Sequence, residues 1–202
     1  MRNEFMINKT SSLTPEQQDL KKRIEKDKMK GVSAEEYDQF VLERGRDEKA
    51  EKFATILTEL LDAEKKYKTL ELGAGTGIFT NELNKIPNVE LTCLDIRKDL
   101  LEYGIDKERI KREQIVIGDF EKQPFEQDSF DVLTGTAIMN QRQDQEAFFA
   151  ETKRVLKDGG LAFFPWIHKK QDRFEKETKL LEDNGFEIVN VGEDYILAKK
   201  SD

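Results

Sequence analysis

Hydrophobic positions along this chain follow two spacings, and together they predict alternating helices and strands. The clearest helical pattern begins near residue 47, where apolar side chains recur three and four positions apart at Phe53, Ile56, Leu57, Leu60 and Leu61. From Tyr67 onward, short apolar runs alternate with helical segments. Strands that alternate with helices in this way indicate an α/β domain with a parallel sheet. The predicted strands cover 67–72, 89–95, 114–119, 130–136, 161–166, 186–191 and 195–199, and the helices between them begin near 76 or cover 98–103, 143–156 and 171–182.

The last two predicted strands lie too close together for a helix to connect them. Only Gly192, Glu193 and Asp194 separate the two apolar runs. Parallel neighbours need a long crossover, so these two strands can only form a hairpin. The parallel sheet is therefore expected to end in an antiparallel pair.

Two helix-start signals precede the α/β pattern. Thr14-Pro-Glu-Gln17 and Ser33-Ala-Glu-Glu36 each place a capping hydroxyl three residues ahead of a glutamine or a glutamate. We therefore expect residues 1–46 to form an N-terminal helical extension or lid, with a mobile tail at its start, and residues 47–202 to form the α/β domain. Residues 1–30 hold eight basic and five acidic side chains, which favours a solvated helix face, with a lid or a partner contact as the alternative.

Composition narrows the class of protein. The 202 residues carry a net charge of −8, and this acidic balance argues against a protein that coats nucleic acid. One cysteine, Cys93, and one histidine, His168, exclude an internal disulfide and a metal site rich in histidine or cysteine, so no metal is expected. Apolar runs are short and the first residues lack a signal-peptide core, which predicts a soluble cytoplasmic protein without a membrane segment.

A glycine-rich turn follows the first predicted strand. Gly73, Gly75 and Gly77 come directly after the apolar run that ends at Leu72, and a helix is predicted to begin just beyond them. Such a turn lets backbone N–H groups approach a small ligand, and the helix N-terminus favours a negative group. The dinucleotide fingerprint requires a third glycine where this chain has Ile78, which disfavours a nicotinamide or flavin dinucleotide.

The carboxyl ends of the next strands carry side chains suited to a nucleoside. Asp95 ends the second strand about twenty residues after the glycines, where a carboxylate can accept both ribose hydroxyls. Asp119 ends the third strand and can accept from an exocyclic amine, with Phe120 beside it against a flat ring. The lysine of a P-loop is absent. These strand ends predict an adenosine site, although each aspartate alone could simply cap a turn.

With these residues in view, the chain resembles the class I S-adenosylmethionine-dependent methyltransferases. The resemblance rests on four blocks in order within residues 50–200: Glu-Leu-Gly-Ala-Gly-Thr-Gly, Leu-Asp-Ile, Gly-Asp-Phe followed by Gln-Pro-Phe-Glu-Gln-Asp-Ser-Phe-Asp-Val-Leu, and Arg-Val-Leu-Lys-Asp-Gly-Gly. It implies a doubly wound, mostly parallel seven-stranded sheet with strand order 3-2-1-4-5-7-6 and an antiparallel strand 7, which agrees with the terminal hairpin. Extra N-terminal helices would precede this sheet.

The resemblance also implies a cofactor and residue roles. The cofactor would be S-adenosyl-L-methionine, with S-adenosyl-L-homocysteine as product. The resemblance implies that Gly73, Ala74 and Gly75 contact the methionine part of the cofactor and that Asp95 binds the ribose. It further implies that Ile96, Asp119 and Phe120 contact the adenine and that Thr136 lies near the sulfonium.

The methyl acceptor is less well defined by the sequence. The histidine pair that many relatives have after the fourth strand is absent, as is Asn/Asp-Pro-Pro-Tyr/Phe, the usual marker of amide or adenine-amine methylation. His168, just past the fifth strand, is a candidate base or substrate ligand, and Trp166, Tyr37 and Tyr195 are candidate pocket walls.

A small-molecule acceptor is the leading hypothesis for the function. Alternatives are methylation of a protein or RNA that docks on Lys21–Lys30, a non-catalytic binder of an adenosyl ligand and, least favoured, a dehydrogenase. The oligomeric state stays open.

Overall fold

The sheet and its flanking helices account for most of the chain. The computed structural model describes Pro15 and residues 31–136, 138–140, 144–165 and 171–201. The predicted helix over 14–30, together with Trp166 and His168, lies outside the described residues, apart from Pro15. The helices are α1 (Ala34–Leu42), α2 (Arg46–Leu60), α3 (Ile78–Leu83), α4 (Lys98–Asp106), α5 (Gln145–Val155) and α6 (Gln171–Asp183). The strands are β1 (Tyr67–Leu72), β2 (Val89–Asp95), β3 (Ile115–Ile117), β4 (Phe130–Thr134), β5 (Leu156–Pro165), β6 (Phe186–Val191) and β7 (Tyr195–Lys200).

The strands form one seven-stranded sheet in the predicted order. Its order is β3-β2-β1-β4-β5-β7-β6, with β7 antiparallel to both β5 and β6. The other neighbours pair in parallel, and Leu72 at the end of β1 lies opposite Leu94 of β2. The ends of β1, β2 and β4 therefore meet at the same edge of the sheet.

Alternate side chains of the strands build a core on each face of the sheet. On β7, Ile196 and Ala198 join the cluster under α5 and α6, whereas Leu197 joins the cluster under α2, α3 and α4. Phe163 and Phe164 of β5 divide in the same way. This period of two is what a sheet covered on both faces requires. Burying apolar side chains on both faces provides the main stabilisation of the fold.

Several element boundaries differ from the sequence prediction. Strand β3 ends at Ile117, two residues before Asp119, and β4 ends at Thr134 rather than at Thr136. Helix α3 begins at Ile78 rather than near Thr76, because its N-cap Gly77 has a φ of 78° and is outside helical geometry. Helix α4 continues through Gly104, where it was expected to close. A Cβ on Gly104 would lie 2.6 Å from Ile110 Cδ1, so this glycine allows close packing rather than a helix end. Helix α5 stops at Val155, and β5 begins at once with an irregular register against β4.

The predicted capping box at Ser33 is present. The Ser33 hydroxyl accepts from Glu36 N at 3.2 Å, while the Glu36 carboxylate accepts from Ser33 N at 2.9 Å. Helix α1 therefore starts where the sequence indicates. Among the helices that the structure describes, none has the length and apolar character that crossing a bilayer would need.

Candidate active site

A cleft opens at the carboxyl edge of the sheet, between the glycine turn and the two N-terminal helices α1 and α2. It encloses about 820 Å³ of empty space, including its open mouth. Residues from the helices α1 to α4, from the glycine turn and from the segments after β2, β3 and β4 line it: Tyr37, Val41, Arg46, Lys49, Ala50, Phe53, Gly73, Ala74, Thr76, Ile78, Phe79, Asp95, Ile96, Leu100, Phe120 and Thr136. A ligand in this cleft would lie where open parallel sheets bind theirs.

The glycine turn has the backbone geometry that the sequence predicts. Gly73, Gly75 and Gly77 all have positive φ, between 56° and 78°, which L side chains rarely adopt. Gly73 N donates to Leu94 O at 2.7 Å, so the turn is tied to the end of β2. A side chain on Gly73 would meet Ile138 Cδ1 at 3.1 Å. The turn is held open toward the cleft by these constraints.

Asp95 connects the second strand to the glycine turn. Its Oδ2 accepts from Gly75 N and its Oδ1 accepts from Arg97 N, both at 2.8 Å. Burial raises the pKa of Asp95, while these two amide hydrogen bonds oppose that rise. An ionised carboxylate offers about four lone-pair positions, so two amide donors leave acceptor capacity for a ligand.

Ile96, Phe120 and Thr136 lie around the same cleft. The Ile96 side chain is 65% exposed, although large apolar side chains elsewhere on this chain are mostly buried. Phe120 is half-buried and packs edge-on against Phe148 of α5, with the ring centroids 5.9 Å apart. Thr136 follows the end of β4. Ile96 and Phe120 thus offer apolar surface that a flat ring can cover.

Asp119 lies outside the set of residues that line the cleft. Its side chain is exposed, and its Oδ1 accepts from Glu121 N at 2.9 Å in a local turn. The structure therefore brings Gly73, Ala74, Asp95, Ile96, Phe120 and Thr136 to the cleft, and places Asp119 at its margin next to Phe120. Gly75 is buried beneath Tyr37 and takes part through its hydrogen bond to Asp95.

Helix α1 covers the glycine turn and is clamped to it by charge. Buried Asp38 accepts from the Thr76 hydroxyl at 2.6 Å and forms an ion pair with Arg109. Arg97 donates to Val32 O at 2.9 Å at the start of the same segment. Tyr37, the residue before Asp38 on α1, packs so closely that a Cβ on Gly75 would lie 3.4 Å from its ring. No local sequence pattern indicates the contact between Asp38 and Arg109, because the two residues are 71 positions apart.

Glu71 lies beneath the glycine turn in a buried polar cluster. It is 1% exposed, and its Oε2 accepts from the Thr80 hydroxyl at 2.6 Å. Burial raises the pKa of Glu71 to about 8, so at neutral pH the carboxyl group keeps its proton in most molecules. The Cys93 thiol lies 4.0 Å from Glu71 Oε2, and burial raises the pKa of this thiol as well. The cluster joins β1, β2 and α3 behind the cleft and thereby braces the turn.

Two basic side chains on the first turn of α2 give one wall of the cleft a positive charge. Arg46 and Lys49 both line the cleft. Burial lowers the pKa of each side chain, and the positive charge of Arg46 lowers that of Lys49 further. Lys49 is not among the site residues predicted from the sequence. The signal was available, because Lys49 is three positions after Arg46 and one turn before Phe53, the spacing of one helix face.

Two candidates for the acceptor pocket differ in their position. Tyr37 lines the cleft. Tyr195 lies elsewhere, packed against Phe163 with ring centroids 5.4 Å apart, and its hydroxyl accepts from Asn190 Nδ2 at 2.9 Å. Tyr195 therefore contributes to the core. Over the described ranges, no group of three or more histidine, cysteine, aspartate or glutamate side chains is placed to hold a metal ion.

Comparisons with known proteins agree with this architecture. A family model described as a methyltransferase domain matches residues 70–164. Malonyl-[acyl-carrier protein] O-methyltransferase 2 of Ilyobacter polytropus is 33% identical over 74% of this chain and 55% of its own length. Demethylmenaquinone methyltransferase of Thermotoga maritima is 34% identical over 63% of this chain and 55% of its own length. The chain thus spans about half the length of these curated relatives.

A solved structure extends the likeness over more of the chain. A protein of Methanococcus maripaludis, provisionally described as an S-adenosyl-L-methionine-dependent methyltransferase, superposes with a TM-score of 0.70 at 20% identity. The match covers 84% of this chain and 92% of that one. At this identity the likeness establishes the fold.

Proposed function

This chain belongs to the class I S-adenosylmethionine-dependent methyltransferases, and from that premise we propose that it transfers the sulfonium methyl group of S-adenosylmethionine to a small-molecule acceptor. The observation that carries the proposal is the cleft itself. It combines an open glycine turn, a buried carboxylate at the end of β2 and exposed apolar surface at Ile96 within one space.

The described residues fit the parts of the cofactor. We propose that the backbone at Gly73 and Ala74 faces the methionine portion, because Gly73 has no Cβ to obstruct the approach of a ligand. Asp95 would accept from the ribose hydroxyls with the lone pairs that Gly75 and Arg97 do not use.

The adenine ring would lie against apolar surface. One side of the adenine ring would cover Ile96, whose side chain is otherwise exposed, and Phe120 would also contact the ring. Asp119 would accept from the exocyclic amine through the part of its carboxylate that the Glu121 amide leaves available. Thr136 would lie near the sulfonium.

Methyl transfer in this cleft would depend mainly on alignment. The acceptor atom forms a bond to the methyl carbon as the bond from sulfur to that carbon breaks, and the electron pair stays on sulfur. Holding the two reactants in line supplies much of the rate. Helix α1, together with Arg46 at the start of α2, would act as a lid over the cofactor, since Tyr37 and Arg46 reach the cleft. We propose accordingly that residues 1–46 form the lid segment and residues 47–202 the methyltransferase domain.

The names of the relatives indicate which small molecules to test first as acceptors. The names of two relatives specify malonyl-[acyl-carrier protein] and demethylmenaquinone as acceptors. A malonyl thioester and a reduced naphthoquinone are therefore the first compounds to test.

The test is an acceptor screen that measures release of S-adenosylhomocysteine and the mass of the product. We expect at least one small molecule to gain a methyl group at a rate that depends on Asp95. Cofactor binding without methyl transfer to any small molecule, together with methylation of a protein or RNA, would contradict the proposal.

A further inference from the structure

Phe120 reaches the cleft from the connection between two strands. It lines the cleft, yet β3 has ended at Ile117 and β4 begins only at Phe130. A segment without a sheet ladder or a helix of its own needs contacts with its neighbours to keep one position. The position of the Phe120 ring therefore depends on what holds residues 120–125.

Helix α5 contacts this segment with side chains from successive turns. Phe148, Glu151 and Arg154 are three positions apart, so they lie along one side of the helix. The Phe148 ring packs edge-on against Phe120, with the centroids 5.9 Å apart. Glu151 Oε2 accepts from Gln123 N at 2.7 Å. The helix thus contacts both the ring and the backbone of the segment.

Arg154 holds two carbonyl groups of the same segment. Its Nη1 donates to Phe125 O at 2.6 Å, and its Nη2 donates to Gln123 O at 3.0 Å. An ion pair with Glu151 orients the guanidinium group, since Nε and Nη2 donate to the two carboxylate oxygens at 2.8 and 2.7 Å. A guanidinium suits this arrangement because its donors are fixed in one plane. Glu151 and Arg154 together therefore bind both the N–H and the C=O of Gln123.

Gln123 passes this restraint on to Phe120. Its Nε2 donates to Phe120 O at 3.0 Å. The side chain is 5% exposed, and its Oε1 is buried without a hydrogen-bond partner among the described residues. An unpaired buried oxygen costs free energy that an apolar side chain would avoid. The hydrogen bond to Phe120 O is the contact that an apolar side chain could not replace.

We infer that Glu151 and Arg154 are positioning residues for the cofactor, which act through Gln123 to keep the Phe120 ring against the adenine. Neither Glu151 nor Arg154 lines the cleft, so each would influence the ligand only through the segment that it holds. This inference rests on the proposed function, since the contact between Phe120 and adenine belongs to that proposal.

The test is a double-mutant cycle between Arg154 and Phe120. Calorimetry gives the affinity for S-adenosylhomocysteine of the unmodified protein, Phe120→Ala, Arg154→Met and the double variant. We expect Phe120→Ala to weaken binding about tenfold, because the contact between base and aromatic ring is lost. Arg154→Met should weaken it about fivefold in the unmodified chain and less than about twofold in Phe120→Ala, since it acts through that ring.

Two results of this cycle would overturn the inference. The same weakening by Arg154→Met with and without the Phe120 ring would mean that Arg154 acts on the fold as a whole. An unchanged affinity in Phe120→Ala would mean that the ring has no part in binding. If the unmodified protein does not bind S-adenosylhomocysteine at all, the proposed function fails instead.

Conservative variants of Glu151 separate the backbone contact from a general loss of stability. Glu151→Gln keeps an oxygen that can accept from Gln123 N, whereas Glu151→Ala removes it. Glu151→Gln should therefore bind S-adenosylhomocysteine more tightly than Glu151→Ala does. Equal losses of affinity in the two variants would contradict the role of this contact.

A matched control lies at the opposite edge of the sheet. Lys157 Nζ donates to Asp131 at 2.6 Å, and Asp131 also accepts from Lys68 N at 2.8 Å, so this carboxylate joins a cation and a backbone amide as Glu151 does. These residues lie near the amino ends of their strands, away from the cleft. Lys157→Met should keep the affinity for S-adenosylhomocysteine, and urea unfolding of every variant compares their stabilities. A loss of affinity in Lys157→Met as large as in Arg154→Met would overturn the inference.

Discussion

Replacement of Asp95 by alanine gives the sharpest prediction about the cleft. Asp95 is 8% exposed, and both of its oxygens already accept from backbone amides. If the same carboxylate also accepts from the two ribose hydroxyls, the variant loses two charge-assisted hydrogen bonds. Each such bond is worth about 1.5–3 kcal/mol, although water compensates for part of the loss. We therefore expect the affinity for S-adenosylhomocysteine to fall by about 2–4 kcal/mol, which is roughly 30-fold to 1000-fold.

Part of this loss would come from the turn rather than from the ribose. The variant also frees Gly75 N and loosens the glycine turn, which weakens the binding of any ligand. Calorimetry with adenosine and 2′,3′-dideoxyadenosine separates the two effects. The unmodified protein should prefer adenosine by about 10-fold to 100-fold, and Asp95→Ala should lose most of that preference.

The control variant removes a carboxylate that has no place in the cleft. Asp106 is exposed at the end of α4, so Asp106→Ala should bind both nucleosides like the unmodified protein. Full preference for adenosine in Asp95→Ala would refute the ribose role.

Three further predictions concern the stability of the site. Gly77→Ala should lower the free energy of unfolding by about 1–3 kcal/mol, because the new Cβ would meet the Ile110 side chain at a positive φ. Its control is Gly31→Ala, at a similar φ of 72° but with open space around the new Cβ, which should cost about 1 kcal/mol. Equal losses for the two variants in urea titrations would contradict the role of packing at Gly77. Asp38→Asn should lower it by about 2–4 kcal/mol by leaving Arg109 without its ion pair, and an unchanged urea midpoint would show that the clamp is unimportant. Glu71 has a pKa of about 8 in the fold against 4.5 for the free group, so the unfolded chain loses this proton first and stability falls as pH rises between those values. Glu71→Gln should remove that fall, a gain over the unmodified protein of about 2–4 kcal/mol at pH 8 relative to pH 4.5, and parallel pH profiles of the two proteins would contradict the assignment.

The sheet could be predicted because its signals are local. Each strand shows its own apolar run, and the short connection at Gly192 permits only a hairpin. The position of Asp95 in the cleft follows in the same way, since the carboxyl ends of parallel strands share one edge. Element boundaries were less accurate where glycine has two possible roles. In the sequence, Gly104 predicts the end of a helix, yet it lies within α4, where Ile110 packs closely against it.

The walls of the cleft could be predicted only in part, because they depend on contacts between distant segments. Nothing near Asp38 in the sequence indicates Arg109, which is brought to it by the packing of α1 over the glycine turn. The place of Lys49 depends on how α2 rotates about its axis, which its core residues determine. Asp119 shows the opposite case. Asp119 was predicted to end β3, but the strand stops at Ile117, and Asp119 lies in a local turn in which its carboxylate accepts from Glu121 N.

The most direct test of the central claim is a calorimetric titration of the full chain with S-adenosylmethionine, S-adenosylhomocysteine and NAD. We predict that both adenosyl ligands bind at one site per chain, that Asp95→Ala weakens both, and that NAD gives no comparable signal. Tight binding of NAD without any signal from S-adenosylmethionine would contradict the account.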